Sequence, residues 1–245
     1  MKIGLIGLGR MGAGIAGRLL KGGHEVAAFD ADPAVTERLG ALGVIGTRSL
    51  EKLAEELPVP RAVWLMLPCG DTVERTVETL RELLSAGDVI VDGGNSFYGD
   101  DIRRAEMLKD RGILYVDAGV SGGIRGRDIG YAIMVGGEKG AVDIIAPAFD
   151  TLAASGGWVW CGPAGAGHYV KMVHNGIEYA LMEAYGEGLE LLKESPFGGS
   201  IDLERVIDVW NGGSVIRSWL LELAGDALKN NPGLDTIEGR VDDTG

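Results

Sequence analysis

The first two-thirds of the chain alternates short apolar runs with amphipathic stretches, and this alternation restricts the possible folds more than any other feature. Several apolar runs are continuous, as expected for parallel strands that are covered on both faces. Strands are predicted at Lys2–Ile6, Glu25–Phe29, Ala62–Leu67, Val89–Asp92, Leu114–Asp117, Tyr131–Val135 and Trp158–Cys161. Helices are predicted at Gly12–Lys21, Pro33–Leu42, Thr72–Leu84 and Asp101–Arg111. The pattern therefore predicts an α/β fold with a doubly wound parallel sheet of the Rossmann type.

The pattern changes after Gly162-Pro163-Ala164-Gly165, where strand-like runs stop and helical periodicity continues. Three helices are predicted beyond this point, from Gly167 to Lys193, from the N-cap Asp202 to Trp210, and from the N-cap Ser214 to about Lys229. We therefore predict a dinucleotide-binding Rossmann domain over residues 1–163 and an all-helical domain over residues 164–245.

Composition and charge exclude several classes of partner. The net charge of −13 argues against nucleic acid, although a small phosphorylated substrate needs only a local positive pocket. No apolar run approaches the ~20 residues of a membrane span, and the N-terminus is interpreted as a strand rather than a signal peptide. Cys69 and Cys161 are far apart and the three histidines are scattered, so no metal site is predicted. We expect a reducing, cytoplasmic setting.

The segment Gly7-Leu8-Gly9-Arg10-Met11-Gly12 fits the pattern G-x-G-x-x-G, and it lies between a predicted strand and a predicted helix. In such a loop the first glycine allows a tight turn, and the second lets a pyrophosphate approach the backbone. The third glycine permits close packing of helix on strand. The segment therefore predicts a dinucleotide site, and the alternative is a turn that needs its glycines for packing alone.

Asp30 ends the second predicted strand, where an acidic residue commonly binds the adenosine ribose. Its carboxylate would repel a 2′-phosphate, so NAD is favoured over NADP, although Arg10 would offset part of the repulsion. The alternative is that Asp30 caps the turn at Asp32-Pro33.

Four polar side chains share one face of the long predicted helix. At about 100° per residue, Asn175 and His174 lie within ~60° of Lys171, and Glu178 lies within ~20° of it and ~10 Å further along the axis. A lysine beside a cationic nicotinamide ring has a lowered pKa and can take a proton from a substrate hydroxyl, while a carboxylic acid donates one elsewhere. The alternative is a solvated polar stripe without catalytic function.

Two glycine-rich segments follow predicted strands at the edge where doubly wound sheets bind ligands. These segments are Asp92-Gly93-Gly94-Asn95-Ser96 and Val120-Ser121-Gly122-Gly123. Exposed backbone N–H groups in the second segment would suit a carboxylate. Each segment has the alternative interpretation of a plain turn.

The motifs taken together identify a family resemblance. Lys171-Met172-Val173-His174-Asn175-Gly176-Ile177-Glu178-Tyr179, with the two glycine-rich segments, closely resembles the decarboxylating 6-phosphogluconate dehydrogenases over essentially the whole chain. The loop Gly7–Gly12 is shared with the wider β-hydroxyacid dehydrogenase superfamily. The resemblance implies oxidative decarboxylation of 6-phospho-D-gluconate, a small phosphorylated sugar acid of the pentose phosphate pathway, to ribulose 5-phosphate and carbon dioxide. It also implies a homodimer or higher homo-oligomer that associates through the helical domain.

The resemblance also implies a role for individual residues. Lys171 would be the base for the C3 hydroxyl and later an acid, and Glu178 would protonate C1 of the enediol. The substrate would be held by Asn95, Ser121, Gly122, Gly123, His174, Asn175 and Tyr179. The cofactor would be lined by Gly7, Leu8, Gly9, Arg10, Met11, Gly12, Asp30, Pro68, Cys69, Gly70 and Asn95.

The sequence departs from the family pattern in two places. NADP-using members carry an Asn-Arg pair where this chain has Asp30-Ala31, so the chain resembles the shorter, NAD-preferring branch. Family members continue past Asp242-Asp243-Thr244-Gly245 into further helices with phosphate-binding basic residues, so we expect a truncated chain. Arg217 is the strongest basic candidate in the last stretch, and its role is open.

Two other functions are compatible with the sequence. A 3-hydroxyisobutyrate-type dehydrogenase shares the lysine and the asparagine four residues on, but it has no proton donor that matches Glu178. A nucleotide-binding protein without turnover would keep the Rossmann domain and lose the substrate pocket.

Overall fold

The computed structural model describes residues 1–123 and 125–231. The chain forms two compact units, the first over Met1–Met172 and the second beginning at Val173. The predicted end of the chain at Asp242–Gly245 lies outside the described residues.

The first unit is built on one eight-stranded sheet with the order β3-β2-β1-β4-β5-β6-β7-β8. Its strands are β1 (Lys2–Ile6), β2 (Glu25–Phe29), β3 (Ile45–Gly46), β4 (Ala62–Leu65), β5 (Val89–Asp92), β6 (Leu114–Ser121), β7 (Tyr131–Gly137) and β8 (Ala153–Gly162). All neighbouring strands are parallel except β6 and β7, which are antiparallel. The sheet is therefore mostly parallel, and the α/β fold class is confirmed.

Helices of the first unit cover both faces of this sheet, and helices also form the second unit. They are α1 (Arg10–Lys21), α2 (Pro33–Gly40), α3 (Leu50–Glu56), α4 (Asp71–Leu83), α5 (Tyr98–Leu108), α6 (Gly126–Ile129), α7 (Lys139–Leu152), α8 (Ala166–Lys193), α9 (Leu203–Gly213) and α10 (Trp219–Asn230). The described part of the second unit contains only helices, from the C-terminal part of α8 onward. No helix in the described ranges is long and apolar enough to cross a membrane.

The core of the first unit lies on both faces of the sheet, and β4 shows why its strands are continuously apolar. Trp64 faces one cluster, where it meets Phe149 of α7 edge-on with ring centroids 5.5 Å apart. Val63 and Leu65 face the other cluster. Alternate side chains of a strand point to opposite faces, so every residue of β4 is buried.

The second unit has a small core of its own. Ile207, Leu221 and Leu228 are buried together, and Tyr185 of α8 packs against them. The Tyr185 hydroxyl donates to the carbonyl of Ile216 at 2.9 Å and lies 2.9 Å from Ser218 Oγ. These contacts join α8 to the segment that leads into α10.

The structure confirms several predicted elements and corrects one predicted cap. The strands β1, β2 and β5 have the predicted bounds, α8 covers the predicted long helix, and Asp202 caps α9 by accepting the Arg205 N–H at 3.0 Å. The prediction that Ser214 is an N-cap is wrong, since α9 extends to Gly213. Ser218 caps α10 instead, by accepting the Leu221 N–H at 3.0 Å.

The predicted doubly wound sheet is parallel except at one pair of neighbours, because β7 runs antiparallel to β6. Residues 122–130 connect the two strands, and a parallel neighbour needs a crossover of about a dozen residues or more. The prediction missed α3, α6, α7 and the short strand β3.

Ion pairs join α4 to α5 on the surface of the first unit. Both oxygens of Glu74 accept from the Arg103 guanidinium, at 2.6 and 2.7 Å, and Arg104 Nε donates to Glu74 at 3.1 Å. The hydrogen bonds from Arg103 lower the pKa of Glu74 to about 2, and those from Arg104 act in the same direction against the opposing effect of burial. The charged form of Glu74 therefore stabilises the folded state.

We expect Glu74→Gln to lower the free energy of unfolding at pH 7 by about 1–2 kcal/mol, after allowance for solvent screening at the exposed Arg103. A lowered folded-state pKa contributes stability above the unfolded value, and this is lost as the pH falls towards the folded value. The difference from wild type should therefore shrink between pH 4.5 and pH 2 in urea titrations. Glu78→Gln, at an exposed position of the same helix, is the control. An equal cost of Glu74→Gln at pH 7 and pH 3 would contradict this account.

Candidate functional site

The turn from β1 into the start of α1 contains the three glycines of the motif, and packing requires only two of them. Gly7 has a φ of +88°, and an added Cβ would overlap the carbonyl of Met66. A Cβ at Gly12 would overlap the carbonyl of Gly7, so this glycine lets α1 pack onto the loop. An added Cβ at Gly9 would meet nothing within 4 Å. Packing therefore explains Gly7 and Gly12, while Gly9 faces open space.

That open space lies at the N-terminus of α1, which begins at Arg10 directly after Gly9. The first N–H groups of an α-helix have no partner within the helix, and the helix dipole favours an anion there. No acidic residue lies in the first turn of α1. The donors and the bare backbone of this loop fit the pyrophosphate of a dinucleotide.

Asp30 lies against this loop. Its Oδ2 accepts the N–H of the buried Leu8 at 2.6 Å, and its Oδ1 accepts the N–H of Asp32 at 2.9 Å. The structure therefore brings Asp30 and the loop together. Asp30 also accepts the N–H of Asp32, as the alternative interpretation of a turn cap requires. Of the other predicted loop residues, Arg10 is exposed and Met11 is half-buried.

The predicted cofactor segment Pro68-Cys69-Gly70 is exposed and follows β4. Gly70 has a φ of +86° and is the N-cap of α4. An added Cβ on Gly94 would lie 2.8 Å from the carbonyl of Leu67, so the loop after β5 packs against the loop after β4. These two loops meet at the edge formed by the carboxyl ends of the parallel strands.

The turn that carries Asn95 is held by a buried carboxylate. Asp92, the last residue of β5, accepts the Gly94 N–H at 3.1 Å and the Ser96 hydroxyl at 2.6 Å. Asn95 between them is half-buried, and its Oδ1 accepts a hydrogen bond from Lys171 Nζ. The structure therefore joins two predicted site residues that are 76 positions apart.

Lys171 reaches Asn95 because α8 lies directly on the sheet. A Cβ added to Gly119 of β6 would come within 2.5 Å of Lys171 Cβ. A Cβ added to Gly167 would come within 2.5 Å of the Met134 carbonyl on β7. Glycine at both positions lets the helix approach the backbone of two strands, and this approach directs the half-buried Lys171 along the sheet edge.

Ser121, Gly122 and Gly123 continue from the same strand. Asp117, Gly119 and Ser121 alternate along β6 and therefore share the face that α8 covers. Ser121 is half-buried, and Gly122 and Gly123 have φ values of +129° and +50°. The structure thus brings Ser121 to the strand face where Lys171 lies, and the two glycines begin the loop beyond it.

The remaining predicted site residues lie in the second unit, on the continuation of α8. His174 Nδ1 lies 3.1 Å from Asn175 Oδ1 and 3.7 Å from Glu178 Oε2. The side chains of His174 and Glu178 are 41% and 38% exposed, so both are accessible to a small molecule. Tyr179 is exposed. Within this unit the structure groups His174, Asn175 and Glu178.

A buried polar cluster lies behind the Asn95 turn, and the sequence alone does not predict it. His168 Nδ1 lies 2.7 Å from Asp101 Oδ2, and the Tyr115 hydroxyl donates to Asp101 Oδ1 at 2.9 Å. Arg104 Nη1 donates to Asp92 at 3.3 Å. Asp92, Asp101 and His168 hold three potential metal ligand atoms within 4.8 Å. Because protein donors already satisfy these carboxylates and Arg104 supplies positive charge, we interpret the cluster as an ion-pair network.

Burial and mutual charge set the protonation of this cluster. Burial raises the pKa of Asp101 to about 6, against the opposing hydrogen bond and charge of His168. Burial disfavours the charged imidazole of His168, but the hydrogen bond to Asp101 and the neighbouring carboxylates outweigh it and raise its pKa. Burial also raises the pKa of Asp117. The hydrogen bond between Asp101 and His168 therefore lies in a setting with little water, where the carboxylate favours the charged imidazole.

Two features of the sequence are compatible with the close packing of α8 on β6 and with the buried cluster. Gly119 interrupts a strand pattern, which often marks a close approach of another backbone. His168 lies three residues before Lys171, one helical turn away, at the start of the long helix. The partners Asp101 and Tyr115 come from distant segments, so nothing local in the sequence indicated them.

Comparison with known families matches both units of the chain. Residues 2–162 match the family described as the NAD binding domain of 6-phosphogluconate dehydrogenase. Residues 167–229 match the family described as the 6-phosphogluconate dehydrogenase C-terminal domain. The NAD(+)-dependent, decarboxylating 6-phosphogluconate dehydrogenase of Haloferax volcanii is 46% identical over 244 residues, which are 99% of this chain and 79% of that relative.

Two solved structures are also similar. The 6-phosphogluconate dehydrogenase of Plasmodium falciparum, solved in its apo form and in complex with NADP+ and with 6-phosphogluconate, has a TM-score of 0.85 and 32% identity. That match covers 93% of this chain and 51% of that one. The 3-hydroxyisobutyrate dehydrogenase of Mycobacterium tuberculosis has a TM-score of 0.75 and 28% identity, and the match covers 89% of this chain and 72% of that one. With the loop geometry at Gly7–Gly12, these matches lead to one conclusion: the chain belongs to the 6-phosphogluconate dehydrogenase family and carries its NAD(P)-binding domain.

Proposed function

We propose that this chain catalyses the oxidative decarboxylation of 6-phospho-D-gluconate to ribulose 5-phosphate and carbon dioxide, with NAD as the oxidant. The observation that carries the proposal is the hydrogen bond from Lys171 Nζ to Asn95 Oδ1. It directs an amine to the sheet edge where the loops after β4 and β5 meet, which is the edge at which such sheets bind ligands. The family match and the relatives' names support the choice of substrate.

Lys171 is the base in this proposal. A bound nicotinamide dinucleotide supplies the acceptor for the hydride that leaves C3. Lys171 takes the proton of the C3 hydroxyl as that carbon becomes a ketone, and it returns the proton to the ketone oxygen as the carboxylate leaves as carbon dioxide. Asn95 orients the amine by accepting one of its hydrogen bonds.

Glu178 is the proton donor to C1 of the resulting enediol, while the neutral Lys171 amine takes the proton of the enediol's C2 hydroxyl, which becomes the ketone of ribulose 5-phosphate. Glu178 is half-buried on the same helix as Lys171, two turns further on. His174, close to both Asn175 and Glu178, would orient the substrate together with Asn175, Tyr179 and the Ser121–Gly123 segment. A homodimer or higher homo-oligomer, a cytoplasmic setting and a domain boundary near residue 164 stay predictions.

Asp30 supports NAD rather than NADP as the cofactor. Its carboxylate is held against the glycine-rich loop by the N–H groups of Leu8 and Asp32. A negative charge fixed there favours ribose hydroxyls and repels a 2′-phosphate. The rest of the proposed cofactor site is the Gly7–Gly12 loop, Pro68-Cys69-Gly70 and Asn95.

A second candidate function is a β-hydroxyacid dehydrogenase of the 3-hydroxyisobutyrate type, which oxidises without loss of carbon dioxide. The similarity to the M. tuberculosis enzyme favours it. Glu178 argues for the decarboxylating reaction, since oxidation alone needs no second proton donor.

The two functions differ in the products formed. With 6-phosphogluconate and NAD, we expect one carbon dioxide per NADH, and a kcat/KM at least about tenfold lower with NADP. NADH formed from 3-hydroxyisobutyrate without carbon dioxide would support the second candidate instead. Absence of turnover with either substrate and either cofactor would contradict both enzymatic proposals.

We expect Gly9→Ala to weaken NADH binding by about tenfold or more while the melting temperature stays unchanged, because the added methyl group meets only the space proposed for the pyrophosphate. Fluorescence titration with NADH measures the affinity. Gly17→Ala, also facing open space but within α1, is the matched control and should bind NADH normally. Equal affinity of the Gly9→Ala protein and wild type would contradict a dinucleotide site at this loop.

We expect Glu178→Gln to lower kcat by about a hundredfold or more, since a positioned acid commonly contributes at least that much. Stopped-flow measurement of NADH formation, together with carbon dioxide release, would show which step slows. Glu183→Gln, an exposed position ~140° around the same helix, is the control and should keep its activity. A Glu178→Gln enzyme as active as wild type would remove Glu178 from the mechanism.

A further inference from the structure

His168 is a buried ionisable side chain that the proposed chemistry does not use. Its side chain is 1% exposed, and its Nδ1 lies 2.7 Å from Asp101 Oδ2. Its Nε2 is buried and has no hydrogen-bond partner among the described residues. A buried nitrogen without a hydrogen-bond partner costs stability, so stability alone does not account for a histidine at this place.

Asp101 links His168 to the turn that carries Asn95. The Tyr115 hydroxyl lies 2.9 Å from Asp101 Oδ1 and 3.3 Å from Asp92 Oδ2. Asp92 in turn accepts hydrogen bonds from the residues on either side of Asn95. A continuous chain of buried polar contacts therefore runs from His168 to the Asn95 turn, with the single proton of the Tyr115 hydroxyl placed between the carboxylates of Asp101 and Asp92.

His168 is also fixed to the helix that carries Lys171. Its backbone N–H donates to Asp117 Oδ2 at 2.8 Å, in the first turn of α8. Lys171 follows one turn later, and its stem lies against Gly119. The side chain of His168 thus lies at the Asp101 end of the buried network. Its backbone lies in α8, the helix that positions the Lys171 amine.

We propose that His168 and Asp101 are positioning residues that hold Lys171 Nζ at Asn95 Oδ1 by locking the start of α8 to the β5 turn. The proposal rests on the proposed role of Lys171 as base. Replacing a buried ion pair by apolar residues often leaves stability unchanged, while it removes the geometric constraint that the pair imposes. The network therefore fixes the start of α8 relative to the turn after β5, in addition to any contribution to stability.

His168→Leu and His168→Asn test the proposal as a pair. Leucine removes the hydrogen bond to Asp101, whereas the asparagine amide can donate to Asp101 from nearly the place of Nδ1. We expect His168→Leu to lower kcat by about tenfold or more with the KM for NAD unchanged, since small displacements of a catalytic group are that costly. We expect His168→Asn to recover most of the lost activity.

A second readout does not depend on turnover. The ε-methylene signal of Lys171, in protein labelled with carbon-13 lysine and identified from a Lys171→Arg spectrum, reports the surroundings of the amine. It should move in His168→Leu and return in His168→Asn. Asp88→Asn is the matched control, because Asp88 is a fully buried aspartate paired with Arg61 at the other end of β5. It should lower stability and leave the Lys171 signal in place.

Asp101→Asn serves if His168→Leu does not fold, because it keeps the volume and loses one hydrogen bond. A folded His168→Leu or Asp101→Asn protein with wild-type kcat and an unmoved Lys171 signal would overturn the proposal. If wild type itself does not turn over 6-phosphogluconate, the proposed function fails, and the Lys171 signal still decides whether the network positions the amine.

Discussion

The backbone N–H groups of Gly165 and His168 donate to the two carboxylate oxygens of the buried Asp117, at 2.7 and 2.8 Å. This cap fixes the start of α8 on the middle of β6, and burial of the carboxylate is offset by two helix-terminal donors. Gly167 and Gly119 then let the first turns of α8 lie close to the sheet backbone. The distance from Lys171 to Asn95 depends on where the helix begins.

Much of the fold could be predicted because continuous apolar runs bounded by turn residues are visible locally, as in β1, β2 and β5. The helix α7 was not predicted, and it contains Pro147, a residue type that normally ends a helix. Six buried side chains of α7, including Ile145 and Phe149, outweigh that local cost. The direction of β7 depends on the length of its connection, which strand periodicity does not report.

The candidate site likewise contains residues that a local pattern predicts and pairings that no local pattern predicts. Lys171, His174, Asn175 and Glu178 could be assigned to one helix because helical spacing is a local property. The hydrogen bond between Lys171 and Asn95 could not be predicted without the strand order, which brings the end of β5 beside β6. The pair Asp101–His168 joins two helices through buried hydrogen bonds, and no periodicity of either segment indicates its partner.

In the proposed mechanism, an amine held at the sheet edge by Asn95 acts as the base. Lys171→Met keeps the length of the side chain and removes the amine, so the turnover of this variant with 6-phosphogluconate, measured beside its affinity for NADH, is the most direct test. We expect a kcat about a thousandfold lower with NADH affinity unchanged, whereas Lys193→Met at the end of the same helix should keep its activity. Turnover of Lys171→Met within tenfold of wild type would contradict the claim.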